Sequence, residues 1–248
     1  MTEGHLVQHL NIDVRAALGL RDDEVAVSLV VPTHNEARGL RRLLPAIPSV
    51  VDEVIIVDWA STDDTKDVVS YIRPDAIFVE QTGRGKGSAI KQGLALAKGH
   101  ILITCDGDGS MDPLDMLDAL NMLLGEGYDF VKGSRCKPGG GSSDFTRWRA
   151  FGNNLLTWCA NQIADMSWTD ITYGFNAYHR RVMPVTEGLA DGFAFEIQLA
   201  ARLSRSEFKI GEFTSWESPR VGGESKLNSI RDGLRILRVL VHERQRKI

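Results

Sequence analysis

Two aspartates one residue apart, Asp106 and Asp108, mark the stretch of this sequence in which chemistry is most strongly indicated. They follow residues 101–104, a short apolar run without helical periodicity that is typical of a buried strand. Carboxylates held this close repel one another unless a cation or an array of donors lies between them, and a hard divalent cation prefers such oxygen ligands. The pair therefore favours a metal site that keeps positions open for substrate phosphates.

Three simpler interpretations of this pair differ in strength. An EF-hand loop is excluded, because Met111 stands where that loop needs glycine and Leu117 stands where it needs glutamate. Asp112 before Pro113 suits a helix N-cap, which would leave both aspartates available for another role. A solvated acidic turn also agrees with the spacing.

Apolar, strand-like segments alternate with helical segments along the chain. The predicted strands are 25–31, 54–58, 76–79, 101–104, 128–132 and 208–213. This alternation predicts an α/β fold of the Rossmann type, with a mostly parallel central sheet flanked by helices and right-handed crossovers. Asp58 ends the second predicted strand, and the aspartate pair follows the fourth. All three carboxylates are therefore expected at the carboxyl edge of the sheet, where ligands bind in such folds.

Composition limits the classes of function. A chain of 248 residues with 43% hydrophobic content can bury a substantial core. Its net charge of −4 argues against a partner bound by bulk electrostatics, so we expect no nucleic acid. Three cysteines without metal-ligand spacing fit a reducing compartment. No apolar run reaches a membrane span and no signal peptide is visible, so we expect a cytoplasmic protein, in solution or peripheral on the cytoplasmic face of a membrane.

Residues 83–88 form a glycine-rich loop that matches no nucleotide-binding motif in full. A P-loop needs glycine where Glu80 stands, and a dinucleotide fingerprint needs glycine or alanine where Ser88 stands. Exposed amides at a helix N-terminus together with Arg84 and Lys86 would still suit a diphosphate. A plain connection between strand and helix is an equal alternative.

A second glycine-rich segment, 138–143, lies between basic residues. Arg135 and Lys137 precede it, and Arg147 and Arg149 follow it. A loop of this kind at an active-site edge is typical of a lid. An ordinary surface loop is the alternative.

Two further groups of residues have both a chemical and a structural interpretation. Glu196 begins a mostly apolar helix and suits a general base, although an acid in the first turn also complements the helix dipole. Trp148, Trp158 and Trp168 are expected to pack in the core or an interface rather than to form a sugar platform.

The two ends of the chain are predicted to be helical. Leu6, Leu10, Val14 and Leu18 recur every four residues in the first 24 residues, as in a helix that packs as an extension. From Lys226 onward, seven Lys or Arg stand against two Asp or Glu, a local charge of about +5 beside an apolar stripe. This end favours an anionic membrane surface or a partner, and a docked helix with a solvated face is the alternative.

Seven motifs follow one another between residues 27 and 227. They are Val31-Pro32-Thr33-His34-Asn35-Glu36; Val57-Asp58 with Ser61-Thr62-Asp63; Gly85-Lys86-Gly87; Asp106-Gly107-Asp108; Gly133-Ser134-Arg135 with the glycine run; 170–175; and Arg220 with Gly223, Ser225 and Lys226. In this order they resemble the family 2 glycosyltransferases of GT-A fold. The resemblance is strongest to the dolichol-phosphate mannose synthases and polyprenyl-phosphate glycosyltransferases, in which Asp106-Gly107-Asp108 would be the DXD motif.

The resemblance implies an inverting transfer of a hexose from a nucleoside-diphosphate sugar to a polyprenyl phosphate, with Mg²⁺ or Mn²⁺ as cofactor. A divalent cation and arginines would stabilise the charge that builds on the departing nucleotide. The implied site is as follows: Asp106, Asp108 and Ser110 at the metal; Pro32, Glu36, Asp58, Lys86, Asp106, Arg220 and Lys226 on the nucleotide sugar; and Asp108, Arg135, Arg149 and Glu196 as catalytic residues.

The acceptor decides whether a base is needed. A phosphate acceptor is already anionic, whereas a hydroxyl would require a carboxylate to take its proton, and Glu196 or Asp191 are the candidates. Two departures from the family pattern bear on specificity. The usual Asp-Asp-Gly is here Asp58-Trp59-Ala60, which affects the base pocket, and the membrane helices of many bacterial relatives are missing.

The predicted organisation is an N-terminal helical extension at 1–24, a GT-A catalytic domain at 25–227 and a basic amphipathic helix at 228–248. The last helix is the expected peripheral membrane contact. A glycosyltransferase with a small soluble acceptor is the alternative function. A nucleotidyltransferase or a non-catalytic sugar-nucleotide binder is the third. The sequence leaves the sugar, the base and the oligomeric state, including a homodimer, open.

Overall fold

A computed structural model describes residues 12–221 and 238–244 of the chain. Helices cover both faces of a central sheet. They are α1 Val14–Leu18, α2 Ala37–Leu43, α3 Thr65–Ile72, α4 Lys86–Leu96, α5 Asp115–Gly125, α6 Arg147–Ala164 and α7 Ala194–Leu203, with 3-10 turns at Leu44–Ala46 and Arg180–Thr186. Residues 238–244 are also helical.

One antiparallel strand interrupts an otherwise parallel sheet. The strands are β1 Val27–Thr33, β2 Glu53–Asp58, β3 Ile77–Glu80, β4 Ile101–Thr104, β5 Phe130–Ser134, β6 Gly141–Ser142, β7 Asn176–His179, β8 Ile210–Thr214 and β9 Trp216–Glu217. The sheet has the order β3-β2-β1-β4-β7-β5-β8, and β6 pairs with β9 in a separate ribbon. Only β7 of the main sheet runs antiparallel to its neighbours, β4 and β5. The predicted mostly parallel α/β fold is confirmed.

The central strands are buried on both faces, which explains their continuous apolar sequences. Adjacent residues of β1 point in opposite directions, so that Leu29 packs in one apolar cluster with Leu40 of α2. Val30 packs in the other cluster with Ile90 of α4. Because helices occupy both faces, the carboxyl ends of β1, β2 and β4 are the edge at which polar side chains gather.

The observed elements lie close to the predicted ones. β4 coincides with the predicted strand 101–104, and the other five predicted strands are shifted by one or two residues. Helix α6 begins at Arg147, where the Thr146 side chain accepts a hydrogen bond from the Arg149 backbone amide at 3.3 Å and forms the N-cap.

The interpretation of the tryptophans as core residues is right for one of them. Trp168 is buried and packs edge-on against Phe130. Trp148 and Trp158 are 83% and 60% exposed. These two are therefore not core residues, and for them the interface interpretation stays a prediction. The buried residues of α6 are small or polar, namely Asn153, Thr157, Ala160 and Ala164.

Both ends of the chain are described only in part. Val14–Leu18 form α1, but Leu6 and Leu10 lie outside the described residues. Within 238–244, Leu240 and Glu243 are buried, so this part of the C-terminal helix is docked on the protein. The other residues of the predicted C-terminal helix and the segment 222–227 lie outside the described residues. Among the residues that are described, no helix is long and apolar enough to cross a bilayer.

Candidate active site

The carboxyl end of β4 gives its two aspartates different surroundings. Asp106 forms an ion pair with Lys86, whose Nζ lies 2.6 Å from Asp106 Oδ1. Asp108 is buried and accepts hydrogen bonds from the backbone amide and the hydroxyl of Ser110, at 3.0 and 2.7 Å. Arg220 Nε lies 3.3 Å from Asp108 Oδ2. Each carboxylate therefore faces a cation that compensates part of its negative charge.

Helix α2 reaches this turn because one of its residues lacks a side chain. A Cβ on Gly39 would lie 2.3 Å from the carbonyl oxygen of Gly107, so no larger residue fits there without displacing the turn. The backbone between the two aspartates is thus held directly against α2.

A third carboxylate approaches from α7. Glu196 is buried, and its Oε1 lies 3.5 Å from Lys86 Nζ. Asn176, the first residue of β7, donates from Nδ2 to Glu196 Oε2 at 2.9 Å, and Lys132 Nζ lies 3.9 Å from the same oxygen. We call Lys86, Asp106, Lys132, Asn176 and Glu196 the acid–lysine cluster. It joins five elements, namely α4, the end of β4, β5, β7 and α7.

The charges in this cluster are set by burial and by pairing. Burial alone would raise the pKa of Asp106, but the charge of Lys86 and its hydrogen bond outweigh burial and hold that pKa below its usual range. Burial would lower the pKa of Lys86, yet Asp106 and Glu196 raise it above the ordinary value. Lys132 differs, since burial lowers its pKa despite the neighbouring Glu196. Asp106 and Lys86 therefore stay ionised at neutral pH.

The side chains at this edge can hold a cation only together with oxygen ligands from a substrate or from water. In the part of the chain that the structure describes, no group of three or more His, Cys, Asp or Glu side chains could hold a metal ion. Asp106 and Asp108 provide hard oxygen ligands of the type that Mg²⁺ and Mn²⁺ accept. These two carboxylates fit a metal whose other ligands come from phosphate oxygens and water.

The predicted nucleotide-binding residues lie on the loops after β1 and β2. Asp58 is buried and accepts hydrogen bonds from Thr33 Oγ1 at 2.9 Å and from the amide and hydroxyl of Ser61 at 2.9 and 2.6 Å. Asp58 thus joins the two loops to each other. Pro32 lies near the end of β1, and Glu36 occupies the N-cap position of α2.

Trp59, on the loop after β2, contacts one aromatic and one cationic side chain. Its ring is 4.6 Å from that of His34, centroid to centroid, and the Arg84 guanidinium lies 5.8 Å from its centroid. Asn35 and Ala60, one on each loop, have positive φ values of 58° and 47°, a conformation that costs energy for residues with a Cβ. The contacts between the loops hold both residues in this strained form.

Arg135 is embedded in a network of its own. Its Nε and Nη2 donate to Asp170 at 2.7 and 3.0 Å, and its Nη1 donates to Glu217 at 3.0 Å. The guanidinium lies between the rings of Phe145 and Tyr173, 4.3 and 4.7 Å from their centroids. Burial would raise the pKa of Asp170, but the hydrogen bonds and charge of Arg135 hold it below its usual range. The network braces the glycine-rich segment against β9.

The remaining predicted residues are distributed as follows. Arg149 is exposed and pairs with Asp144 at 2.9 Å. Asp191 pairs with Lys91 at 2.7 Å. Lys226 lies outside the described residues. The structure thus brings Lys86, Asp106, Asp108, Ser110, Glu196 and Arg220 together, and it places Pro32, Glu36, Asp58, Arg135 and Arg149 in separate contacts around them.

Sequence reasoning missed Lys132 and Asn176, and it noted Asp170 only as the start of the motif 170–175, without a partner. Lys132 is 1% exposed and donates from Nζ to the carbonyl oxygen of Tyr173. Its position directly after the apolar pair Phe130-Val131 was its available signal. Asn176 and Asp170 gave no comparable signal, because their partners are distant in sequence.

Comparisons with known proteins identify the family of this chain. The model of the family described as glycosyl transferase family 2 matches residues 28–184. An uncharacterized glycosyltransferase of Mycobacterium tuberculosis is 32% identical over 205 residues, which are 82% of this chain and 90% of that protein. Polyprenol monophosphomannose synthase of Mycolicibacterium smegmatis is 30% identical over 219 residues, 81% of this chain and 80% of that protein.

A solved structure shows the same fold. Glucosyl-3-phosphoglycerate synthase from Mycobacterium tuberculosis, in complex with Mn²⁺, uridine diphosphate and glucosyl-3-phosphoglycerate, superposes with a TM-score of 0.68 at 21% identity. The match covers 93% of this chain and 82% of that one. The fold is GT-A, and this chain belongs to glycosyltransferase family 2.

Proposed function

We propose that this glycosyltransferase moves a hexose from a nucleoside-diphosphate sugar to a polyprenyl phosphate, with inversion and with Mg²⁺ or Mn²⁺. The observation that carries the proposal is the meeting of Asp106, Lys86, Glu196 and Arg220 at one edge of the sheet. The similarity to polyprenol monophosphomannose synthase supports the choice of acceptor.

In this proposal the two aspartates hold the donor diphosphate through the cation. When bound, the cation would neutralise charge on the departing diphosphate. Lys86 and Arg220 add positive charge to the same place, and their side chains lie beside Asp106 and Asp108. Preorganised cations of this kind cost little reorganisation during the reaction.

The transfer itself needs one displacement. An oxygen of the acceptor phosphate forms a bond to C1 of the sugar while the bond from C1 to the diphosphate breaks, and the nucleoside diphosphate leaves with the electron pair. A phosphate acceptor requires no base, so Glu196 would position Lys86 and Asn176 rather than take a proton. For a hydroxyl acceptor, buried Glu196 is a better candidate base than Asp191, because Asp191 is exposed and paired with Lys91.

Arg135 and Arg149 have different parts in the proposal. Arg149 is exposed near the start of α6 and can reach an acceptor phosphate by releasing Asp144. Arg135 donates to Asp170, Glu217 and Thr172, so it acts as a positioning residue for the glycine-rich segment. Pro32, Glu36 and Asp58, with Trp59, would border the base, and Lys226 would contact the donor phosphates.

The test is a product assay with the full chain. UDP-, GDP- and dTDP-linked hexoses with a labelled sugar are offered with Mn²⁺ and a polyprenyl phosphate, and label in the organic phase is measured beside free nucleoside diphosphate. We expect both to appear in equal amounts, and Asp108→Asn to remove both while its circular dichroism stays as in the wild type. If label were transferred only to a water-soluble acceptor, that acceptor and not polyprenyl phosphate would be the substrate. Release of pyrophosphate would contradict glycosyl transfer.

A further inference from the structure

Helix α6 turns its apolar side away from the protein. Trp148, Phe151, Leu155 and Trp158 are 83%, 61%, 47% and 60% exposed. At 3.6 residues per turn these four side chains lie within about 80° of one another around the helix axis. A surface helix ordinarily buries such a stripe against the core. We call these four residues the outer face of α6.

The opposite side of the helix explains why the outer face is not needed for folding. Asn153 and Thr157 are buried there together with Ala160 and Ala164. Asn153 Nδ2 donates to Asp170 Oδ1 at 3.3 Å, and the Thr172 hydroxyl donates to Asn153 Oδ1. Polar contacts, small residues and the partly buried Leu156 and Ile163 fix α6 on the protein, while two tryptophans, a phenylalanine and a leucine face solvent. A contiguous exposed apolar patch of this kind marks an interaction site.

We propose that the outer face of α6 rests on an anionic membrane surface. Tryptophan at both ends with Phe151 and Leu155 between them is the composition that membrane–water interfaces favour. Arg147, the first residue of α6, is exposed and lies about 20° from Trp158 around the helix axis, and no acidic residue occurs in 147–164. An arginine at a helix N-terminus opposes the helix dipole, so it does not stabilise the helix itself. The charge of Arg147 is complementary to anionic lipid head groups.

Two other occupants fit this surface less well. The outer face has four residues over a length of about 15 Å. A stable dimer interface uses about 20–30 residues from each partner. The C-terminal helix is the other candidate, but its described part is held elsewhere. Glu243 accepts a hydrogen bond from Gln198 of α7 at 2.8 Å and pairs with Arg202 at 3.1 Å. Each alternative gives its own result in the experiment below.

The outer face of α6 lies close to the Arg135 network. Asn153 on the inner side of α6 contacts Asp170, the partner of Arg135. The outer face is therefore about one helix diameter, roughly 10 Å, from the Arg135 network. Membrane contact would be measurable without donor or acceptor, so its failure and the failure of the proposed transfer reaction can be told apart.

The experiment is flotation of the full chain with vesicles of phosphatidylcholine alone or mixed with phosphatidylglycerol. We expect binding to the mixed vesicles and weaker binding to phosphatidylcholine alone. The double variant Phe151→Ser/Leu155→Ser should lower the partition coefficient about tenfold or more, because two apolar side chains are lost from the contact. Tyr71→Ser is the matched control, since Tyr71 is 88% exposed on α3. It should bind like the wild type.

Fluorescence identifies the side chains that enter the lipid. Brominated lipids should quench wild-type tryptophan emission, and Trp148→Phe/Trp158→Phe should lose most of that quenching while circular dichroism is unchanged. Equal vesicle binding by wild type and the Phe151/Leu155 variant would overturn the proposal. Vesicle binding that is lost only in the variant Arg231→Gln/Arg235→Gln, in the C-terminal segment, would also overturn it. A dimer in light scattering that the Phe151/Leu155 variant dissociates, without vesicle binding, would assign the face to a second copy.

Discussion

Lys86 Nζ lies 2.6 Å from Asp106 Oδ1 and 3.5 Å from Glu196 Oε1, so one ammonium group joins the carboxylate after β4 to the carboxylate of α7. The lysine is the first residue of α4. Its position at a helix N-terminus adds a positive dipole end to the same place. The glycine-rich loop before it thus serves to bring a cation to the aspartates, in addition to any contact with phosphate.

Replacing this cation should impair activity and shift its pH dependence. In Lys86→Met, kcat/KM for the donor should fall by about 100- to 1,000-fold, because a preorganised charge is lost from the leaving group. The folded pKa of Asp106 lies below its unfolded value of 3.8, so its charge stabilises the fold at neutral pH and this contribution is lost as pH falls through the folded pKa. Without Lys86 that pKa rises, and the acid limb of the kcat/KM profile should move to higher pH.

Lys91→Met is the matched control on the same helix, because Lys91 pairs with exposed Asp191. Its pH profile should coincide with that of the wild type. An unchanged acid limb in Lys86→Met would show that Asp106 does not depend on this lysine.

The sequence predicted β4 to the residue because four consecutive aliphatic or β-branched side chains between polar ends leave little choice of structure. It also placed Asp106 and Asp108 correctly at the end of that strand. It did not identify Lys132, since a lysine near a strand end is ordinarily solvated, and only the packing of β7 between β4 and β5 buries it. The pairing of Arg135 with Asp170 was likewise invisible, because 35 residues separate them.

The outer face of α6 shows a different limit. A sequence pattern gives the spacing of apolar residues and not the side from which the protein approaches, so the prediction for Trp148 and Trp158 left core and interface open. Asn153 and Thr157 decide that side through their burial and through the contacts of Asn153 with Asp170 and Thr172. Local patterns therefore predicted the elements, and tertiary contacts determined how they are used.

Gly174 should be required for the geometry of the Lys86–Asp106 pair. A Cβ at this position would lie 2.4 Å from Lys86 Nζ and 3.1 Å from Asp106 Oδ2. Gly174→Ala should therefore displace the pair and lower kcat/KM by about 100-fold, as expected for a shift of about 1 Å in an active site. Gly152→Ala, with no atom within 4 Å of the added carbon, is the control and should retain activity. Wild-type kinetics in Gly174→Ala would mean that the pair is not part of the catalytic geometry.

Asp115 should make stability depend on pH in the opposite direction from Asp106. Burial raises its pKa from 3.8 to about 7, although a hydrogen bond from Ser215 counteracts burial in part. Between these values the folded protein keeps a proton that the unfolded chain releases, so the free energy of unfolding falls as pH rises and stays lower above pH 7. Asp115→Asn cannot ionise, and relative to wild type it should gain on the order of 1–4 kcal/mol between pH 4 and pH 8.

Urea unfolding at the two pH values measures this difference. Asp67→Asn is the control, because Asp67 is exposed in the first turn of α3. It should change stability equally at both values. A constant difference between wild type and Asp115→Asn would contradict a raised pKa for Asp115.

Two ion pairs of similar length should differ widely in their contribution to stability. Arg135 pairs with Asp170 at 2.7 Å in a buried site, and Arg149 pairs with Asp144 at 2.9 Å in a more exposed one. Asp170→Asn leaves a buried guanidinium poorly compensated and should lower the free energy of unfolding by about 3–5 kcal/mol. Asp144→Asn should lower it by less than about 1 kcal/mol, because water replaces the lost partner. Denaturation at pH 7 measures both variants, and equal losses would show that burial does not set the strength of the Arg135 network.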